Sequence, residues 1–227
     1  MNFAPTLPPG IAFVAVPAGA SIKESLLHPE ELALLQSTTS EARRIEFARG
    51  RVAAHQVLKV LNVGPSPILR IFGTRLPAWP SGVVGSLSHC PLGAVAIGAG
   101  ENQVEAVGID VEQERRVRPK LMEKIATTFE KSWVQSGDII SLFSAKECIY
   151  KALFPLVRAP LGFRDVEIEP DSSTRLPEWK FRARLLRAYG TKFQLGTSFL
   201  IHCLRSPEAK LQSGGSLLSI CYILRRK

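Results

Sequence analysis

Gly108-Ile109-Asp110-Val111-Glu112 stands inside a run, residues 104–112, whose apolar and polar residues alternate. That alternation predicts a β-strand with Ile109 and Val111 on one face and Asp110 and Glu112 on the other. Two carboxylates then share one surface. A half-buried strand with a polar outer face accounts for this without any function. A hard-cation site is the other account, because oxygen ligands on one face repel each other unless an ion such as magnesium lies between them.

Working outward, Phe143-Ser144-Ala145-Lys146-Glu147-Cys148-Ile149-Tyr150-Lys151-Ala152 predicts a helix over 144–153. Glu147 and Lys151 lie one turn apart on the same side of it. The pattern Ser144-x-x-Glu147 also fits a capping box, and Glu147 with Lys151 fits a surface ion pair. Upstream, residues 40–61 form the clearest helix: Ser40 can cap, Ile45, Ala48, Val52 and Leu61 recur at helical spacing, and Arg43, Arg44 and Arg51 lie on the other side. Short strands are expected at 83–87 and 94–97, a helix at 118–135, and strands at 166–168, 179–185, 193–200 and 217–224, with residues 206–216 as a loop. Helix followed by strands thus occurs twice, without a sequence repeat of fixed period, which predicts an α+β fold with a seam near residues 100–108.

Lys and Arg number 29 against 20 Asp and Glu, a net charge of +9, so anionic partners are expected. The arginines are scattered, without a basic tract or interleaved aromatics, which argues against nucleic acid. Gly98-Ala99-Gly100 hints at a dinucleotide loop, but Gln103 occupies the third glycine position and a strand follows, so that reading is weak. The four cysteines form no CxxC pair and signal neither zinc nor a disulfide framework. The start, MNFAPTLPPG, lacks the features of a signal peptide, and no apolar stretch approaches the roughly 18 residues of a membrane span. A cytoplasmic protein without a membrane partner is expected.

GIDVE followed by FSAKECIYKA resembles the paired signature of 4′-phosphopantetheinyl transferases, G-[IV]-D and then [FW]-[SC]-x-K-E-x-x-x-K. The match holds at Gly108, Ile109, Asp110, Phe143, Ser144, Lys146, Glu147 and Lys151, and Glu112 matches the extra acid of the larger, monomeric bacterial branch that serves siderophore, polyketide and peptide synthesis. Arg43-Arg44-Ile45-Glu46-Phe47 with Gly50-Arg51 and Ala53-Ala54 resembles the RR-x-EF…GR-x-AA helix of bacterial members. Trp79-Pro80-x-Gly82, Gly85-Ser86-Leu87-Ser88-His89-Cys90 and Leu161-Gly162-Phe163-Arg164-Asp165 resemble three further family segments. The similarity covers roughly residues 28–168.

The resemblance implies transfer of the phosphopantetheine arm of coenzyme A to a serine of an acidic acyl or peptidyl carrier protein, with release of 3′,5′-ADP. It implies two similar α/β halves, residues 1–105 and 106–227, each a small mostly antiparallel sheet packed with helices. A pseudo-twofold axis would relate them in a chain that works as a monomer. Asp110, Glu112 and Glu147 would hold magnesium, or manganese in its place. Glu147 would serve as base toward the serine, and Lys151 would face the pyrophosphate, with Lys146 as a second phosphate contact. Arg43, Arg51, Arg70, Arg75, Ser88 and His89 would bind coenzyme A, His89 at its 3′-phosphate. A helix presenting Leu121, Met122, Ile125 and Phe129, with Arg116, Arg118, Lys120 and Lys124 nearby, could receive the carrier, or its apolar stripe could pack on the core. Two other functions use the same residues: a metal-dependent phosphoesterase, for which the histidines are too sparse, and a basic nucleic-acid-binding module, for which the acids serve no purpose.

Overall fold

A computed structural model describes residues 3–37, 40–74, 76–114, 119–134, 139–171, 178–206 and 215–225. In chain order the elements are β1 (Ile11–Pro17), α1 (Pro29–Gln36), α2 (Glu41–Val60), β2 (Leu69–Arg70), β3 (Pro77–Ala78), β4 (Val83–Cys90), β5 (Gly93–Gly100), β6 (Val104–Gln113), α3 (Pro119–Ile125), α4 (Thr128–Trp133), α5 (Ile139–Val157), β7 (Val166–Pro170), β8 (Glu178–Leu185), β9 (Ser198–Arg205) and β10 (Ser216–Leu224). The fold is α+β with antiparallel sheets: three strands in the order β1-β5-β4, five in the order β6-β10-β9-β8-β7, and the small β2–β3 hairpin.

Three apolar cores follow from the strand period. In β5, Ala96 faces α2 and joins Val52, Ala53, Val57 and Leu58, while Val95, Ile97 and Ala99 face the other way. There they meet Val107, Ile109 and Val111 of β6 and Leu218 and Ile220 of β10, so one core joins the two sheets. A third core lies between α5, through Leu142, Ala145, Cys148, Ile149 and Leu153, and Ile168, Ala183, Leu185 and Ile201 of the five-stranded sheet. A side chain such as Leu or Ile fully buried in these layers contributes about 1.5–3 kcal/mol against conformational entropy. The edge strands β4 and β6 abut, and the Ser86 hydroxyl accepts from the Ile109 amide at 3.3 Å. The seam expected near residues 100–108 is where the chain passes from one sheet to the other.

The helix expected over 144–153 is longer at both ends, and two further elements differ. The helix over 118–135 is two helices, because Thr127 and Glu130 form a capping box that starts α4 anew. The strand over 193–200 begins later, at Ser198, because Gly196 turns at φ +83° and the Tyr189–Phe193 bridge closes a separate loop. Of the stripe proposed for carrier docking, Ile125 is fully buried and Leu121 and Met122 pack against the core beneath α5, leaving Phe129 exposed. Arg116 and Arg118 lie outside the described residues, as does Arg75 of the expected coenzyme A set. No helix is long and apolar enough to cross a membrane among the described residues. All four cysteines are free and buried.

Candidate active site

Strand β6 and helix α5 meet without a side chain between them at Gly108. A Cβ there would lie 2.0 Å from the carbonyl oxygen of Cys148 and 2.8 Å from the amide of Ala152, so only glycine permits this approach. Two residues along the strand, on the same face, is Asp110; along α5 the same contact sets Glu147 and Lys151 opposite it.

Asp110 is buried, and its Oδ1 accepts from Lys151 Nζ at 2.7 Å and from the Ser88 hydroxyl at 2.9 Å. Lys151 also donates to Ser88 Oγ at 3.0 Å, closing a three-membered cluster that draws on β4, β6 and α5. Burial opposes the charge on Lys151, but Asp110 and Glu147 together outweigh it and lift its pKa above the ordinary lysine value. Asp110 Oδ2 is buried and has no hydrogen-bond partner. Glu147 stands close enough that burial, aided by the charge of Asp110 and opposed by Lys151, pushes its carboxyl above the usual glutamate range.

Neither functionless reading of the α5 segment survives. The helix begins at Ile139, so Ser144 is interior and its hydroxyl donates to Ser219 rather than capping. Lys151 pairs with Asp110 across the seam and is not a surface partner of Glu147. The expected carboxylate trio is only partly assembled. Among the described residues no group of three or more His, Cys, Asp or Glu side chains converges as an ion cage.

A cleft of about 940 Å³ opens from this cluster. Its walls are β4, β6, the α5 residues Glu147, Tyr150, Lys151 and Phe154, the segment 161–163 and the β2–β3 hairpin. Trp79 lies flat on Gly85, where a Cβ would come within 2.3 Å of the indole, which ties the Trp79-Pro80-x-Gly82 and Gly85–Cys90 segments into one wall. His89 is exposed, with Nδ1 3.6 Å from Glu46 of α2. Desolvation lowers its pKa, Glu46 opposes this, and Lys151 lowers it further.

Arg51 is buried, stacked on Phe47 at 4.4 Å, with Nε 3.8 Å from Glu31 Oε1. Burial draws its pKa down to about 10, against the pull of Glu31 and with the help of neighbouring Arg70. Arg51 is near enough to Arg70 and to His89, and His89 to Lys151, for their charges to act on one another, whereas Arg43 sits on the exposed first turns of α2.

Lys146 departs from the expected phosphate contact. Its ammonium is 1% exposed, pairs with Glu130 at 2.8 Å, and donates to the carbonyls of Phe163 at 2.6 Å and Val166 at 2.8 Å, so its three donors are taken. Sequence reading missed Glu130, although Thr127-x-x-Glu130 is a capping signature. It also missed Glu31, whose helix is capped by His28 rather than by a common capping residue.

An α+β protein with a carboxylate–lysine cluster at a seam between sheets, with arginine and histidine nearby, has the chemistry to receive a phosphoryl ligand. Two family profiles match the chain: "4′-phosphopantetheinyl transferase N-terminal domain" over residues 29–99 and "4′-phosphopantetheinyl transferase superfamily" over residues 106–192. The chain is 35% identical over 173 residues to 4′-phosphopantetheinyl transferase Svp of Streptomyces mobaraensis, covering 71% of this chain and 67% of that one. It is 34% identical over 165 residues to 4′-phosphopantetheinyl transferase PptT of Mycobacterium tuberculosis, covering 70% and 71%. Enterobactin synthase component D of Escherichia coli is 33% identical over 134 residues, covering 56% and 61%. The chain belongs to the bacterial 4′-phosphopantetheinyl transferases, which use coenzyme A and act on carrier proteins.

Proposed function

We propose that this protein transfers phosphopantetheine from coenzyme A to a carrier-protein serine with a divalent cation held between Asp110 and Glu147. The observation that carries this reading is the buried, unpartnered Oδ2 of Asp110 beside a second carboxyl. A buried acceptor without a partner is costly, and an ion is one of the few things that repays it. The donors are oxygens, which suit magnesium or manganese, and magnesium is commonly held by one or two carboxylates with substrate phosphates completing its shell. Asp110 and Glu147 would hold it, with Glu112 as the next acidic donor along the strand. When bound, the ion neutralises charge on the pyrophosphate.

The remaining work falls to the chain itself. Lys151, anchored by Asp110 and Ser88, presents a cation to the oxygen that leaves with 3′,5′-ADP as the serine oxygen forms its bond to phosphorus. Glu147, which lines the cleft that the serine enters, takes the serine proton directly or through a water. His89, Arg51 and Arg70 bind the nucleotide phosphates, arginine doing so through its planar fork. Ser88 orients Lys151, and Arg43 on α2 adds positive charge for the nucleotide. Lys146 is assigned an internal role, holding the segment 161–166 against α4.

The proposed halves, residues 1–105 and 106–227, are supported by a repeated buried node. Glu31, in the capping box of α1, accepts from the Ile68 amide at 2.7 Å and from His55 of the long helix α2, also at 2.7 Å. Glu130, in the capping box of α4, accepts from the Ile168 amide at 2.7 Å and pairs with Lys146 of the long helix α5. Both carboxylates are fully buried. The same bolt in each half supports a pseudo-twofold relation, and a chain already duplicated in this way is read as a monomer. The net charge of +9 supports acidic carriers as partners.

Alanine at Arg51 or His89 is expected to raise KM for coenzyme A more than it lowers kcat, because contacts remote from the reacting phosphorus act on ground and transition state alike. The sharper comparison uses 3′-dephospho-coenzyme A, against which His89→Ala loses little further. A full additional loss with that analogue would remove His89 from the 3′-phosphate.

A further inference from the structure

The β2–β3 hairpin carries an aromatic side chain that the nucleotide site does not absorb. The described residues near its tip bond to one another: the Ile71 amide donates to Leu76 O at 2.9 Å, the Thr74 amide to Ile71 O at 3.0 Å, and the Leu76 amide to Thr74 Oγ1 at 3.1 Å, with Gly73 turning at φ +74°. On this frame Phe72 is fully exposed, at 101%, and Ile71 is 45% exposed. Ile71, Gly73, Thr74 and Leu76 line the cleft, but Phe72 does not. The hairpin therefore has an inner side that walls the cleft and an outer aromatic that points away from anything bound inside it. An aromatic ring brings a large apolar area to an interface while freezing only two χ angles, which makes a solvated one on a hydrogen-bonded loop suited to anchoring a partner.

We infer that Phe72 is an apolar anchor for the carrier protein, docked on the outer face of the hairpin while its serine enters the cleft. The inference rests on the carrier-directed transfer described above. The occupant follows from position: the second substrate is a protein, it must reach Glu147 through the cleft, and this hairpin forms part of that cleft's wall. A nucleotide platform would need the ring inside.

The test compares Phe72→Ala and Phe72→Leu with wild type, using a purified apo-acyl carrier protein that the wild-type enzyme loads. Phe72→Ala should raise KM for the carrier about tenfold or more, the size of an interface hot spot. KM for coenzyme A and kcat should stay within about twofold, and Phe72→Leu should recover part of the loss. Loading by wild type tests the underlying reading by itself, so a variant that behaves like active wild type overturns this inference alone. A rise in KM for coenzyme A with the carrier constant unchanged would make Phe72 a nucleotide contact instead. A wild-type dimer that Phe72→Ala converts to monomer in sedimentation, with the carrier constant unchanged, would assign the ring to a second copy of the chain.

Discussion

Replacing Glu147 with alanine is expected to lower kcat/KM for carrier loading by more than about 100-fold, beyond what loss of an outer-shell partner of a metal ligand causes. The thermal midpoint should stay near wild type, because Glu147 lines the cleft and fills no core. Asp110 requires more care. Its Oδ1 is the counter-ion of Lys151, whose side chain is only 21% exposed, and its own side chain is 4% exposed. Asp110→Ala would strand that cation, and breaking buried pairs costs about 3–5 kcal/mol, less here because the lysine is partly solvated. Asp110→Asn keeps the shape and one acceptor for Lys151 while removing the carboxylate charge. It should match Glu147→Ala in lost activity with a melt close to wild type. Near-normal turnover in either variant, with a native-like melt, would remove these two residues from the chemistry.

The second large effect belongs to a residue with no side chain. Gly108→Ala inserts a methyl group 2.0 Å from a backbone oxygen of α5, where no flexible side chain can yield. Strand and helix must separate, and overpacking of this kind costs about 1–3 kcal/mol and occasionally more. A rigid backbone contact places it at the upper end, a fall in Tm of about 6–12 °C for a chain of this size. Activity should fall further than stability explains, because the same separation moves Glu147 and Lys151 away from Asp110. A melt within about 2 °C of wild type would show that β6 and α5 can part cheaply.

Local periodicity made the two catalytic elements legible. The alternation at Ile109-Asp110-Val111-Glu112 put the two acids on one face, and spacing put Glu147 with Lys151. Which of several local explanations held depended on contacts far apart in the chain. Ser144 looked like a cap because the helix was read from residue 144. The apolar run Ile139-Ile140-Ser141-Leu142 extends it five residues earlier and makes Ser144 a buried link to Ser219. Lys151 looked like a partner of Glu147 but pairs with Asp110, 41 residues away, and with Ser88, 63 away. No window over the sequence holds those residues together. Lys146 was assigned to phosphate because of its neighbours in the motif, whereas burial and two backbone carbonyls decide its partners. Strand β1 went unread because Ile11–Val16 is a short continuous apolar run, which has no period to distinguish strand from helix.

The central claim is that Asp110 and Glu147 share a divalent cation that helps bind the pyrophosphate of coenzyme A. Calorimetric titration of coenzyme A into chelator-stripped protein, with and without magnesium, tests it directly. Affinity should rise at least about tenfold when magnesium is present, a coupling of about 1.4 kcal/mol, and that gain should vanish in Asp110→Asn and Glu147→Gln. Equal affinity with and without the ion, or an undiminished gain in both variants, would contradict the claim.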